Sequence, residues 1–208
     1  MAKVTMSSPF AAERLRTRAA ALHMRDLIEG LLRFSRAGAV GSDDDRPLPL
    51  RVAVDQALAN LATAIQESGA QIAIADDLPM VRYDGVHLAQ VVQNLVGNAI
   101  TYRDPARPLR IRIAAEGREQ DAHIIAIADN GPGIAPELRE RIFGMFERGH
   151  GAGPAGAGIG LALCRKILAA RGGRIWVDAA PGGGAVFRFT LPDAGIGSSS
   201  AMLPVLRG

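Results

Sequence analysis

Long apolar runs are missing from this chain. No stretch approaches the roughly 18 to 20 uninterrupted hydrophobic residues that a membrane span needs, and the opening Met1-Ala2-Lys3-Val4-Thr5-Met6-Ser7-Ser8-Pro9 lacks the apolar segment of a secretion signal. A cytoplasmic location is the expectation. Cysteine is almost absent as well, with Cys164 alone among 208 residues. That excludes an internal disulfide framework and a cysteine-based zinc site, and it fits a reducing compartment. Aromatics are few, at 6 Phe, 2 Tyr and 1 Trp. No helix-turn-helix or zinc pattern accompanies the arginines, which argues against nucleic acid as a partner. The net charge of +3 is concentrated at one end: residues 1–40 hold seven Lys/Arg against three Asp/Glu, so the rest is close to neutral. A basic, solvated helix face explains this excess. The four histidines, His23, His87, His123 and His150, have no metal-like partner in sequence.

What is present is an ordinary globular composition, 48% hydrophobic and 22% charged, long enough for one domain and an additional helix. From about Pro9 to Arg36 only Gly30 interrupts a helical pattern in which Ala20, Met24, Leu27, Leu31 and Phe34 recur at alternating gaps of four and three. Such a seam needs other helices to bury it. The stretch Ala37 to Pro47, with Gly38, Gly41, an Asp43-Asp44-Asp45 run and a proline, reads as a linker. The expected partition is a helical segment over 1–37, a linker over 38–47, a folded domain over 48–192 and a frayed tail over 193–208.

Within the domain, Leu50, Val54, Leu58, Leu61 and Ile65 mark an amphipathic helix that ends by Gly69, and a strand follows over 71–75. A second helix starts at Asp84, an N-cap, and carries Leu88, Val91, Val92, Leu95 and Ala99. Strands over 109–115 and 122–128, a short helix opened by Pro136, a helix over 159–170, and strands over 174–178 and 185–191 complete the order. Helices on one face of a mixed sheet, forming a two-layer α/β sandwich, account for it.

Three separated blocks then stand out. Asn94 and Asn98 lie four apart and share a helix face, where carboxamide oxygens would suit a hard cation such as Mg²⁺ held jointly with phosphates. A pair of helix-surface asparagines fits the same spacing. Asp129-Asn130-Gly131-Pro132-Gly133 ends an apolar strand, placing a carboxylate where a purine amino group could donate to it, with glycines that let the backbone approach a flat ring. A tight turn with an Asx cap fits equally well. Gly156-Ala157-Gly158-Ile159-Gly160-Leu161 opens a helix, and free amides at a helix N-terminus attract phosphates; a flexible loop is the alternative. Together and in this order, the blocks describe an ATP site. The upstream loop 150–155 would then be a mobile lid.

Asn94 to Tyr102, Asp129 to Ile134, Ile142-Phe143-Gly144-Met145-Phe146, Gly156 to Leu161 and Gly182-Gly183-Gly184-Ala185 resemble the asparagine, phenylalanine and three glycine boxes of sensor histidine kinases, with a phytochrome-like flavour. The family's fold is the Bergerat ATP-binding sandwich, shared with gyrase and the Hsp90 chaperones, and the resemblance spans about residues 48–192. Met24 to Arg36 is similar to the second helix of the family's dimerisation and phosphotransfer hairpin. The first helix of that hairpin, with its phosphoacceptor histidine, has no counterpart in the chain, and none of the four histidines has the acceptor's setting.

The resemblance implies ATP contacts at Asn94, Asn98, Tyr102, Asp129, Gly131, Gly133, Ile134, Gly156, Gly158, Ile159, Gly160 and Leu161, with Mg²⁺ on Asn98. In hydrolytic relatives a Glu at the position of Asn94 activates water. An amide cannot act as a base, so Asn94 implies a γ-phosphoryl group kept for a histidine acceptor. Arg148 is the candidate for neutralising γ-phosphate charge. Two residues depart from the pattern: Thr101 stands where many members carry a basic residue, for which Arg103 or Arg148 could compensate, and Ala157 replaces a usual Thr. The implied partners are a histidine-bearing hairpin from an upstream region or another chain, a response regulator, and a second copy through the N-terminal helix. The isolated chain is expected to bind Mg-ATP without phosphorylating itself. The competing readings are an ATP-dependent binding switch without kinase activity and a serine kinase of the same fold.

Overall fold

An apolar stripe with a period near 3.6 residues decides the central packing. Leu88, Val91, Val92, Leu95 and Ala99 bury one side of a single helix, and a five-stranded sheet receives it. A computed structural model describes residues 24, 25, 27–32, 34, 35, 46–147 and 158–195. The described residues between 24 and 35 are helical (α1). The remaining helices are α2 (Leu50–Asn60), α3 (Ala62–Ser68), α4 (Gly85–Thr101) and α5 (Gly160–Ala169), with 3-10 turns at Pro136–Leu138 and Arg141–Phe143. The strands are β1 (Pro47–Pro49), β2 (Gln71–Ile74), β3 (Met80–Arg82), β4 (Arg110–Glu119), β5 (Ala122–Asp129), β6 (Ile175–Ala179) and β7 (Ala185–Pro192). No helix among the described residues is long and apolar enough to cross a membrane.

The main sheet has the order β2-β4-β5-β7-β6, parallel at β2–β4 and antiparallel elsewhere. Strand alternation sorts its two faces. Ile113, Ile127, Phe187 and Val177 stand side by side in register and are buried under the helices. The other face carries Arg188, whose guanidinium bonds Glu116 at 2.6 Å and Asp178 at 2.8 Å. The mixed-sheet α/β sandwich is therefore the observed fold.

Local chemistry sets the helix ends. Asp84 caps α4, its Oδ1 accepting from the His87 amide at 2.8 Å. Gly69 closes α3 in the left-handed region, at φ 64°. Several boundaries differ from expectation. The first domain helix breaks at Leu61 into α2 and α3. Pro47, assigned to the linker, pairs with Arg82 in the small β1–β3 ladder. Asp193, assigned to the tail, bridges Val81 and bonds the Asp121 carbonyl at 3.0 Å, so the domain runs at least to it. Of the α1 seam, Met24 and Leu31 are exposed, Phe34 is half-buried, and the buried position is Gly30. Ala20, His23 and His150 lie outside the described residues.

Candidate functional site

The end of β5, the C-terminal half of α4 and the start of α5 face each other across a cavity of about 910 Å³. α4 turns Asn94 and Asn98 toward it, with Tyr102 at its C-cap. Asp129, the last residue of β5, lines the floor, followed by Gly133 and Ile134. Gly158, Ile159, Gly160 and Leu161 close the opposite side. Gly131 is buried beside the cavity and supports Asp129 from behind. Arg148, Gly156, Ala157 and the expected lid at 150–155 lie outside the described residues.

Asp129 is fixed by the backbone of two loops. Its Oδ1 accepts from the Gly131 amide at 2.7 Å and from the Ala185 amide at 3.3 Å. Burial pushes its carboxyl above the ordinary carboxylate range, while these two amides and the Arg107 charge oppose the rise. Asn130 pins the loop behind it, accepting from the Arg110 amide at 2.8 Å and donating to the Pro108 carbonyl at 3.0 Å. The β6–β7 turn packs so closely that a Cβ at Gly184, whose φ is +102°, would stand 2.0 Å from the Asp129 carbonyl oxygen. Only glycine fits there.

The Asn94 carboxamide joins α4 to the start of α5. Its Nδ2 donates to the Gly160 carbonyl at 3.3 Å and lies 3.6 Å from Cys164 Sγ, while its Oδ1 accepts from Gln90 Nε2 at 3.3 Å. Cys164 is fully buried, and burial pushes its thiol up to about 12, so it packs rather than reacts. The second cavity-lining carboxylate, Glu147, pairs with Arg141 at 3.2 Å. Among the described residues no group of three or more His, Cys, Asp or Glu could hold a metal. Asn94 and Asn98 add neutral carboxamides to the cavity lining, donors of a kind that suits Mg²⁺ shared with phosphate oxygens.

Two ends of the glycine loop meet at its base. Phe146 N donates to the Gly158 carbonyl at 2.9 Å, and Phe146 itself has φ 63°, unusual for a residue with a side chain. His87 and His123 stand away from the cavity lining, each beside a carboxylate: Asp84 at 3.3 Å and Asp193 at 3.3 Å. Sequence reasoning missed Gln90, Leu138, Glu147 and Gly30 as lining residues. Gln90 had a usable signal, being four residues before Asn94 on the same face. Gly30 had none beyond its interruption of a helix.

Fold and cavity together define a histidine-kinase-type ATPase sandwich. The chain belongs to the histidine kinase-, DNA gyrase B-, and HSP90-like ATPase family, matched over residues 83–195. It is 44% identical over 140 residues to the phytochrome-like protein Cph1 of Synechocystis sp., covering 67% of this chain and 18% of that protein. Full-length ShkA, whose crystal structure is a complex with AMPPNP, is similar with a TM-score of 0.68 and 29% identity over 92% of this chain and 40% of that one. The mycobacterial sensor histidine kinase MprB is similar with a TM-score of 0.61 and 26% identity over 71% of this chain and 97% of that one. The chain spans only 18% to 23% of the length of Cph1 and two cyanobacterial phytochromes that it matches.

Proposed function

We propose that the chain binds Mg-ATP in this cavity and donates the γ-phosphoryl group to a histidine of a dimerisation hairpin in two-component signalling. The observation that carries the reading is the Asn94 carboxamide, tied to the Gly160 carbonyl where α5 begins. It can position a phosphate or its metal but cannot take a proton from water. The two carboxylates on the cavity lining are already engaged, Asp129 by backbone amides and Glu147 by Arg141. The residues present therefore favour an acceptor that brings its own nucleophile.

In this reading Asp129 accepts from the adenine amino group, and Gly131 and Gly133 shape its pocket. Tyr102 and Ile134 flank the nucleotide. The amides at Gly158, Ile159, Gly160 and Leu161 meet the phosphates at the positive end of α5. Gly156 and Arg148 are assigned to the phosphates on sequence alone. Asn98, with Asn94 beside it, would hold Mg²⁺, which would supply charge neutralisation on the phosphate oxygens. The acceptor imidazole nitrogen forms a bond to the γ-phosphorus as the bond to the β–γ bridging oxygen breaks, and ADP leaves with that electron pair. Among the described residues, His87 and His123 do not line the cavity, which supports an acceptor on a separate hairpin. The exposure of Met24, Ile28, Leu31 and Leu32 on α1 supports a helical partner there, from a hairpin helix or a second copy. A response regulator would receive the phosphoryl group next.

The test mixes the full chain with Mg²⁺, ATP labelled at the γ-position and a separately produced hairpin bearing an acceptor histidine. Acid-labile, base-stable label on the hairpin is the expected result. Acid-stable label would point to a hydroxyl acceptor instead, and tight ATP binding with no label would favour a switch.

A further inference from the structure

Arg107 belongs to none of the boxes, yet its guanidinium stands where the two loops that hold Asp129 meet. Nη2 donates to the Gly131 carbonyl at 2.6 Å. The same group faces the β6–β7 turn: a Cβ at Gly183 would lie 3.8 Å from Nη2 and 3.9 Å from Nη1. The base of the side chain is set by a turn of its own. Asp104 accepts from the Ala106 amide through Oδ1 at 2.9 Å, its carbonyl accepts from Arg107 N at 3.3 Å, and its Oδ2 lies 3.5 Å from Arg107 Nε.

The consequence runs through Asp129. Gly131, whose carbonyl Arg107 holds, presents its amide to Asp129 Oδ1 at 2.7 Å, and Ala185, next along from the Gly183-Gly184 turn, supplies the other amide at 3.3 Å. One cation therefore bonds the Gly131 loop and lies against the β6–β7 turn, the two segments whose amides hold the carboxylate. A charge-assisted bond to a carbonyl is among the stronger protein hydrogen bonds. We propose that Arg107 is the positioning residue for base selectivity, holding Asp129 in the orientation that accepts from a purine 6-amino group. The inference rests on the reading of Asp129 as the adenine acceptor. It assigns Arg107 no contact with the nucleotide itself. The Arg107 charge also opposes the upward push of burial on the Asp129 carboxyl.

The experiment measures the affinity of the full chain for Mg-ATP and for Mg-ITP, which carries a 6-oxo group in place of the 6-amino group. Wild type is compared with Arg107→Met, Arg107→Gln and Arg107→Lys, and thermal midpoints confirm folding. Arg107→Met is expected to lose about tenfold in ATP affinity with less than about a twofold change for ITP, so the preference for ATP collapses. Arg107→Lys should restore part of that preference. In Arg107→Met and Arg107→Gln the fall in ATP affinity on acidification should begin at higher pH than in wild type, because the opposing charge is gone; in Arg107→Lys it should not move. Equal losses for both nucleotides in the Met and Gln variants, or no loss in either, would overturn the proposal while leaving Asp129 as the acceptor. If wild type itself binds ATP and ITP equally, the reading of Asp129 fails and this proposal with it.

Discussion

As the proposed adenine acceptor, Asp129 would meet two opposed demands: it must stay charged enough to accept a hydrogen bond and buried enough to face an aromatic ring. Burial raises its folded-state pKa, against the Gly131 and Ala185 amides and Arg107. An acid whose pKa is raised on folding binds more protons folded than unfolded, so it destabilises the free domain above that pKa, and the penalty is relieved as pH falls through it. Asparagine keeps an oxygen for both amides without a charge to desolvate. Asp129→Asn should therefore leave the thermal midpoint of the nucleotide-free chain unchanged or higher near neutral pH, while Mg-ATP affinity falls by about tenfold or more. Thermal melts with and without nucleotide check both halves, and a clearly lowered nucleotide-free midpoint would contradict the electrostatic account. In wild type, ATP affinity should weaken as pH falls through the raised pKa. That Asp129, Asn94 and Asn98 would face one cavity was legible in the sequence, because each sits in a short, recognisable block. Arg107 was not, because its bond to Gly131 crosses 24 residues and joins two loops that only the sheet brings together.

At the scale of elements, helices and central strands followed from apolar periodicity, and the errors fell where periodicity is too short to read. β1 and β3 have three residues each, and β1 has proline at both ends. Their ladder depends on a pairing partner separated in sequence by α2, α3 and β2. The break at Leu61 was hidden by the stripe Leu58, Leu61 and Ile65, which continues across it, with all three packed against the core. The β6–β7 turn carries a sharper consequence. At Gly184 an added Cβ would meet the Asp129 carbonyl at 2.0 Å, whereas at Gly182, also with positive φ, it would meet nothing within 4 Å. Gly184→Ala should cost roughly 2 kcal/mol or more and weaken ATP binding, while Gly182→Ala should cost about 1 kcal/mol of backbone strain alone. Denaturant midpoints for the pair separate the two effects, and equal values would contradict the close approach of this turn to β5.

For the whole molecule, the sandwich brings three sequence-distant blocks to one end of a mixed sheet, and α1 lies against that same end. Gly30 is buried and lines the cavity, where a Cβ would come within 2.9 Å of Ile159 Cδ1. Lys166 Nζ stands 4.3 Å from the centre of the Phe34 ring and donates to the Phe34 carbonyl at 2.6 Å. The heptad spacing marks Phe34 but not Gly30, because it picks out large seam residues and the close approach to Ile159 is made by the glycine between them. The proposed fate of the γ-phosphoryl group, transfer to a histidine, rests on the carboxamide that Asn94 presents to the cavity. Its most direct test follows ADP, free phosphate and phosphohistidine together in the full chain with Mg-ATP, with and without the acceptor hairpin. Slow phosphate release alone, and ADP formation matched by phosphohistidine once the hairpin is added, is the predicted result. Brisk release of free phosphate at the same rate with or without the hairpin would contradict it.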